Sequence, residues 1–256
     1  MRKWMYFVLT AVLVLVVSPA YALFTNGGFE TGDTTGWTIG GWNGGADYSV
    51  ISSFTGQFNN TSGWVSGIPY YGNYSLLLGS PGIGHEIDND HWTTASQTDT
   101  VSAADIAAGL HLYFKWGAIL EEPTNDTPHT NTEQPYFSAR LQKNTGSGWI
   151  DVYFAEQRAN QTGFTSIGLN AVGDAGEIWY GPGIADIDLA GLNIGDQVKI
   201  DLFVRDCGLG GHGGLVFLDG FGTEKPPDDN VVPEPGTLML LGTGLVGMLA
   251  MRRKNR

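Results

Sequence analysis

Cysteine is almost missing from this chain. The 256 residues contain one, Cys207, so no disulfide can close within the molecule and cysteine-rich metal frameworks are excluded. Basic residues are scarce as well. Lys and Arg number 13 against 26 Asp and Glu, and six of the 13 sit at the two ends. Residues 23–232 hold 7 Lys and Arg against 25 Asp and Glu, which leaves that stretch near −18. A surface this acidic repels nucleic acid and anionic lipid, so nucleic-acid binding is set aside. Helix-favouring runs are few. The 38 glycines follow no collagen-like period and no repeat of ~20–50 residues, which argues against a helical body or a solenoid. Aromatic residues make up 12%, too many for a disordered chain. Catalytic signatures are wanting too: no Gly-x-Ser-x-Gly elbow, His-Glu-x-x-His pair or Ser/His/Asp arrangement stands out. Glycoside hydrolysis needs two carboxylates facing one gap. Adjacent Glu121 and Glu122 on a strand would point to opposite faces.

Long apolar runs occur at the ends alone. Arg2 and Lys3 precede an apolar stretch from Met5 to Val17, and Ala20-Tyr21-Ala22 offers a small-x-small cleavage site. That layout predicts a secretory signal peptide over 1–22 and a mature start near Leu23. At the other end, Thr237 to Met251 gives 15 uncharged residues. At ~1.5 Å per residue they reach ~22 Å, short of a ~30 Å hydrocarbon core, unless the bilayer thins and the flanking cations snorkel. Arg252, Arg253, Lys254 and Arg256 close the chain as a basic stop that should stay cytoplasmic. The span Val232 to Thr237, followed by a short apolar helix and an Arg-rich end, resembles the PEP-CTERM sorting signal of Gram-negative bacteria. The resemblance implies export across the inner membrane by the secretion machinery and transient anchoring through a transmembrane helix at 237–251. It further implies processing by exosortase, with Pro233, Glu234 and Pro235 as the residues that protease recognises. Residence at the cell surface or in the matrix, beside exopolysaccharide and biofilm, would follow.

Between the ends, strand-like runs alternate with turns rich in Gly, Asn and Asp. The clearest is Val198 to Val204, whose Val198, Ile200, Leu202 and Val204 share one face. Similar runs appear at 48–52, 74–78, 110–116, 136–142, 149–154 and 215–218, with a Gly-rich hairpin loop at 143–148. One short helix is expected at 102–108, stopped by Gly109. The pattern predicts an all-β body over 23–222, an antiparallel sandwich, joined to the tail by an acidic, proline-stiffened linker at 223–232.

Two blocks of the body carry a second resemblance. Asn26 to Gly32 with Gly36-Trp37, and Ile187 to Val198 with Val216 to Phe221, resemble the opening and closing strands of galactose-binding-like jelly-roll domains, which include many carbohydrate-binding modules. That resemblance implies a jelly-roll topology and one structural Ca²⁺, with Glu30 and Asp219 as ligands and Asp33 as a weaker neighbour. Oxygen ligands suit that hard cation. Three tryptophans among small polar residues, Trp42, Trp64 and Trp92, are candidates to stack on sugar rings, because an indole face is apolar while nearby amides and hydroxyls fix orientation. Trp37 is expected to be structural, and Trp116, Trp149 and Trp179 to lie in the core. The Gly-rich loop 206–214, with Cys207 and His212, and the acidic segment 85–92 read as loops rather than metal sites. The functional expectation is a non-catalytic binding protein of the exopolysaccharide matrix. A polysaccharide-active enzyme and a purely structural or adhesive protein are the alternatives.

Overall fold

Alternation of apolar and polar residues, broken by glycine and asparagine, builds strands almost throughout the computed structural model. It describes residues 23–42, 46–57, 64–68, 70–80, 91–123, 130, 133–159, 161–169, 176–208, 212–223 and 225. For 54–57, 64–68, 80, 123 and 169 the description covers the backbone alone. The strands in chain order are β1 (Thr38–Gly41), β2 (Tyr48–Ile51), β3 (Phe54–Gln57), β4 (Trp64–Ile68), β5 (Ser75–Ser80), β6 (Trp92–Thr100), β7 (His111–Pro123), β8 (Tyr136–Asn144), β9 (Trp149–Arg158), β10 (Thr165–Leu169), β11 (Gly176–Asp188), β12 (Gln197–Arg205) and β13 (Gly214–Gly222). The helix α1 (Ala103–Ala107) lies between β6 and β7. Its start is a capping box: Ser102 Oγ accepts from Asp105 N at 3.3 Å, and Asp105 Oδ2 accepts from Ser102 N at 2.7 Å. Gly109, at φ +102°, ends it in a conformation that only glycine takes freely.

Two antiparallel sheets form the sandwich, one in the order β1-β6-β12-β8-β9 and one in the order β10-β11-β7-β13-β5-β2. The hairpin β3-β4 stands as a separate pair. Between the sheets lie Val198, Ile200, Leu202 and Val204 of β12, as their spacing predicts, with Phe137 and Leu141 of β8, Leu112 and Phe114 of β7, and Val216 and Leu218 of β13. Leu23, Phe24, Phe29, Trp37 and Phe221 join the same core. The indole N–H of Trp37 donates to the Asn26 carbonyl at 3.3 Å.

The two sheets differ in what their outer faces meet. On the six-stranded sheet, Ile119, Ile178, Leu215 and Phe217 form a second buried cluster, with Ile51, Tyr70, Leu77 and Tyr180 packed on it. Every residue of β13 is therefore buried, which explains why Leu215 to Leu218 reads as an unbroken apolar run. The five-stranded sheet keeps the in–out alternation of a half-solvated sheet: β12 runs exposed or half-buried at each position opposite its core residues. Its outer face is the broad wet surface of the body.

Trp116 and Trp179 pack partly buried against the core, as expected. Trp149 does not: it opens β9 with 41% of its surface exposed. β9 pairs with β8 alone and forms the sheet's edge, so its outer-face side chains have no second layer to bury them. Cys207 is fully buried beside β12. Among the described residues no helix is long and apolar enough to cross a membrane. The expected span 237–251, Pro233, Glu234, Pro235, the basic stop and the acidic segment 85–90 lie outside the described residues.

Candidate functional site

Register decides which outer-face side chains meet. Trp92 of β6 stands opposite Arg205 of β12, Arg205 opposite Tyr136 of β8, and Tyr136 opposite Arg158 of β9. One row of side chains thus crosses four neighbouring strands. Phe203 stands one row further in, opposite Thr94 and Ser138. At the near edge Gly41 of β1 pairs with Thr93, so the half-buried Trp42, one residue on, falls beside the Trp92 end of the row.

The rings in this group are close and nearly parallel. Trp92 and Phe203 have centroids 6.0 Å apart at 20°, and Tyr136 and Phe203 5.3 Å apart at 28°. The Arg158 guanidinium lies 4.7 Å from the Tyr136 centroid and that of Arg205 5.9 Å. Both distances fall within cation–π range. Trp92, Phe203 and Tyr136 are each half-buried, so their faces are partly wet. Glu156, one row from Arg158 on β9, is held by it at 2.7 Å. Further along the face Arg140 grips Asp151 with two hydrogen bonds, 2.8 and 2.9 Å, and Lys199 meets Asp201 at 2.8 Å. The Arg140 hydrogen bond is the main reason that the Asp151 carboxyl sits below the usual carboxylate range. Four of the body's seven cations lie on this face, three of them in ion pairs within it, so an acidic protein carries one surface close to neutral.

Of the three tryptophans proposed from sequence, Trp92 stands in this row, Trp42 follows the β1 residue that pairs with Thr93, and Trp64 lies elsewhere. Trp64 opens β4 in the separate hairpin, and its side chain is outside the described residues. Phe203, Tyr136, Arg158 and Arg205 were not foreseen as site residues. A signal for the first exists: in 198–205 the residues alternating with the core set are Lys199, Asp201, Phe203 and Arg205, and Phe203 is the apolar intruder on a polar face.

The carboxylates assigned to calcium sit at the opposite sheet. Asp219 Oδ2 accepts from Tyr70 N at 3.0 Å, Tyr71 N at 2.9 Å and Ser75 Oγ at 2.8 Å. Glu30 accepts from Asn73 N at 2.9 Å and Tyr74 N at 3.1 Å. The two carboxylates thus hold one loop, 70–75. Asp33 stands apart: it takes the Thr31 hydroxyl at 2.6 Å and Thr35 N at 3.0 Å, and the Thr31 bond above all lowers its pKa. Asp219 Oδ1 is buried with no hydrogen-bond partner, and burial pushes the carboxyl up to about 8. Lys115 pairs with Asp219 across the ladder; burial draws its ammonium down and Asp219 opposes that. An oxygen of this kind calls for a proton or a cation. Carboxylate oxygens are the ligand class a hard cation takes, but both Glu30 oxygens already accept from Asn73, and no group of three or more His, Cys, Asp or Glu poised for a metal occurs among the described residues.

Comparison with known families places a PEP-CTERM protein-sorting motif at residues 231–254, the mark of an exported protein with a C-terminal sorting signal. No curated protein matches the chain. The body resembles carbohydrate-binding β-sandwiches among solved structures. A module specific for non-crystalline cellulose shares 15% identity and a TM-score of 0.37 over 78% of this chain and 94% of its own. The module CBM27-1 of Caldicellulosiruptor saccharolyticus, solved with mannohexaose, shares 10% and 0.39 over 78% and 96%. A third, from work on promiscuous carbohydrate-binding modules of the β-sandwich superfamily, shares 11% and 0.36 over 78% of this chain. The chain spans 62% of that third structure, less than two thirds of its length. The sugars named are those proteins' ligands.

Proposed function

We propose that the outer face of the five-stranded sheet binds a polysaccharide without cleaving it, and that the exported protein serves the exopolysaccharide matrix of its cell. The observation that carries this reading is the row Trp92, Arg205, Tyr136, Arg158 with Phe203 beside it. Near-parallel, partly wet aromatic rings offer apolar area to the C–H faces of sugars, and guanidinium groups and neighbouring hydroxyls offer donors to their oxygens. Glu156, the carboxylate next to the rings, is engaged by Arg158 rather than poised for proton transfer, which supports binding over hydrolysis.

Affinity electrophoresis in gels carrying the cell's own exopolysaccharide, hydroxyethylcellulose, xylan or galactomannan tests this reading. The wild type is expected to be retarded by at least one polymer. Trp92→Ala should weaken that retardation by about 30-fold, the scale of a buried aromatic anchor worth ~2 kcal/mol. Unchanged retardation of the variant rules the row out, and steady release of reducing sugar by the wild type would make the protein an enzyme.

For the tail we propose exosortase processing after anchoring through 237–251. Changing Pro233, Glu234 and Pro235 together to alanine should accumulate a longer, membrane-bound precursor on immunoblots of fractionated cells. A variant processed and released like the wild type would remove these residues from recognition. We further propose one structural Ca²⁺ held by Glu30 and Asp219, with Asp33 outside the set. When bound, the ion would supply charge neutralisation that locks loop 70–75.

A further inference from the structure

The edge strand β9 carries two large rings that the row does not use. Phe154 is 62% exposed and Trp149 41%. Both lie on the outer face of the five-stranded sheet. Phe154 pairs with Arg140, two rows in from Tyr136, and Trp149 pairs with Asn144, four rows in. A register shift between Leu141 and Gln142 makes this possible. It opposes Leu141 to Tyr153 and Gln142 to Asp151, so Val152 is the extra residue, and Trp149 and Asp151 return to the face that Phe154 occupies. A bulge that re-aims side chains in this way is a feature with a purpose more often than a flaw. Two exposed rings on an edge strand are otherwise an aggregation liability.

Trp92, Phe203, Phe154 and Trp149 together mark a diagonal from the β6 corner of the face to the far end of β9. At ~4.8 Å between strands and ~3.4 Å per residue the diagonal measures roughly 30 Å. The side chains beside it offer hydroxyls, amides and ion pairs already closed, Arg140 with Asp151 among them. A face neutralised within itself, continuous with the proposed row, suits an uncharged polyol better than a charged partner. We infer that Trp149 and Phe154 form a second stacking station for the same glycan, so that the ligand is an extended, neutral polymer lying diagonally over the face and not a short oligosaccharide or a chain end. This rests on the glycan reading of the Trp92 row.

The test uses the mature chain, the polymers named above and their trisaccharides. The double variant Trp149→Ala/Phe154→Ala should bind polymer about 10-fold more weakly and the trisaccharide as the wild type does, while Trp92→Ala weakens both. Trp149→Phe, which keeps an apolar ring face, should restore most of the loss in a Phe154 background. If the double variant binds polymer like the wild type while Trp92→Ala is impaired, the second station is overturned and the row stands. If Trp92→Ala is also unimpaired, or the wild type binds no polymer, the glycan reading falls and takes this inference with it. A wild-type dimer that the double variant dissolves, seen by sedimentation, would show a self-association edge and likewise overturn the inference. Both side chains are exposed, so an unchanged melting temperature is the expected folding control.

Discussion

Replacing Phe221 by alanine is expected to cost about 3–5 kcal/mol of stability and roughly 10 °C of melting temperature, the scale for emptying a fully buried phenylalanine site in a domain of this size. The residue is 0% exposed and joins three parts of the chain. Its ring lies 4.7 Å from Phe114 of β7, 4.9 Å from Trp37 and 6.2 Å from Phe29. Its N–H donates to the Gly27 carbonyl at 3.0 Å, and a Cβ at Gly27 would run into the Phe221 carbonyl oxygen. Phe221 therefore fastens the segment 23–37 to the end of the six-stranded sheet. The matched control is Phe154→Ala, which removes the same ring from an exposed site and should stay within about 0.5 kcal/mol. Equal losses in denaturant titrations of the two variants would show that the opening segment does not pack on β13.

Asp219 should give the body an unusual dependence on pH. Its carboxyl titrates at about 8 in the folded protein against 3.8 for an unperturbed aspartate. The folded state therefore holds the proton more tightly than the unfolded chain does. The contribution of this group is greatest below about pH 4, declines as pH rises towards 8 and is flat beyond. The groups that face it are Lys115, Tyr70, Tyr71, Ser75 and Glu30. Asp219→Asn cannot titrate, so its melting temperature should lack the decline that the wild type shows over that window in chelator. Calcium reverses the trend if it binds there, because metal and proton compete for the same oxygen. Millimolar Ca²⁺ should raise the wild-type melting temperature more at pH 8 than at pH 5 and leave the Asn variant unmoved. Matching slopes in the two proteins would dismiss the titration, and no calcium shift at any pH would dismiss the ion.

Much of the framework could be read from local residue order. The period-2 set Val198 to Val204 became a buried strand face because side chains alternate along any extended backbone. Ser102 and Asp105 capped a helix because their oxygens reach N–H groups three residues away. Asn144 Oδ1 closes the β8–β9 turn onto Gly146 N at 2.9 Å, again a neighbourly bond. The all-β class and the sorting tail belong with these, since composition and short motifs carry them.

Other elements gave no such local sign. β6, from Trp92 to Thr100, is mostly Thr and Ser, and it reads as a strand once β1 and β12 pair on either side of it. β11 keeps Gly181-Pro182-Gly183 in its middle because β10 covers it no further than Tyr180, so the missing proline N–H lies where no second ladder needs it. The candidate site belongs to this group. Trp92, Phe203, Tyr136 and Arg158 are spread over more than 110 residues and meet because ladder hydrogen bonds set the register of four strands. Residue order settled which side chains alternate on each strand. Which aromatic rings stand together, and that Trp149 lies in water rather than in the core, followed from strand pairing, because pairing is a long-range choice that no single strand encodes.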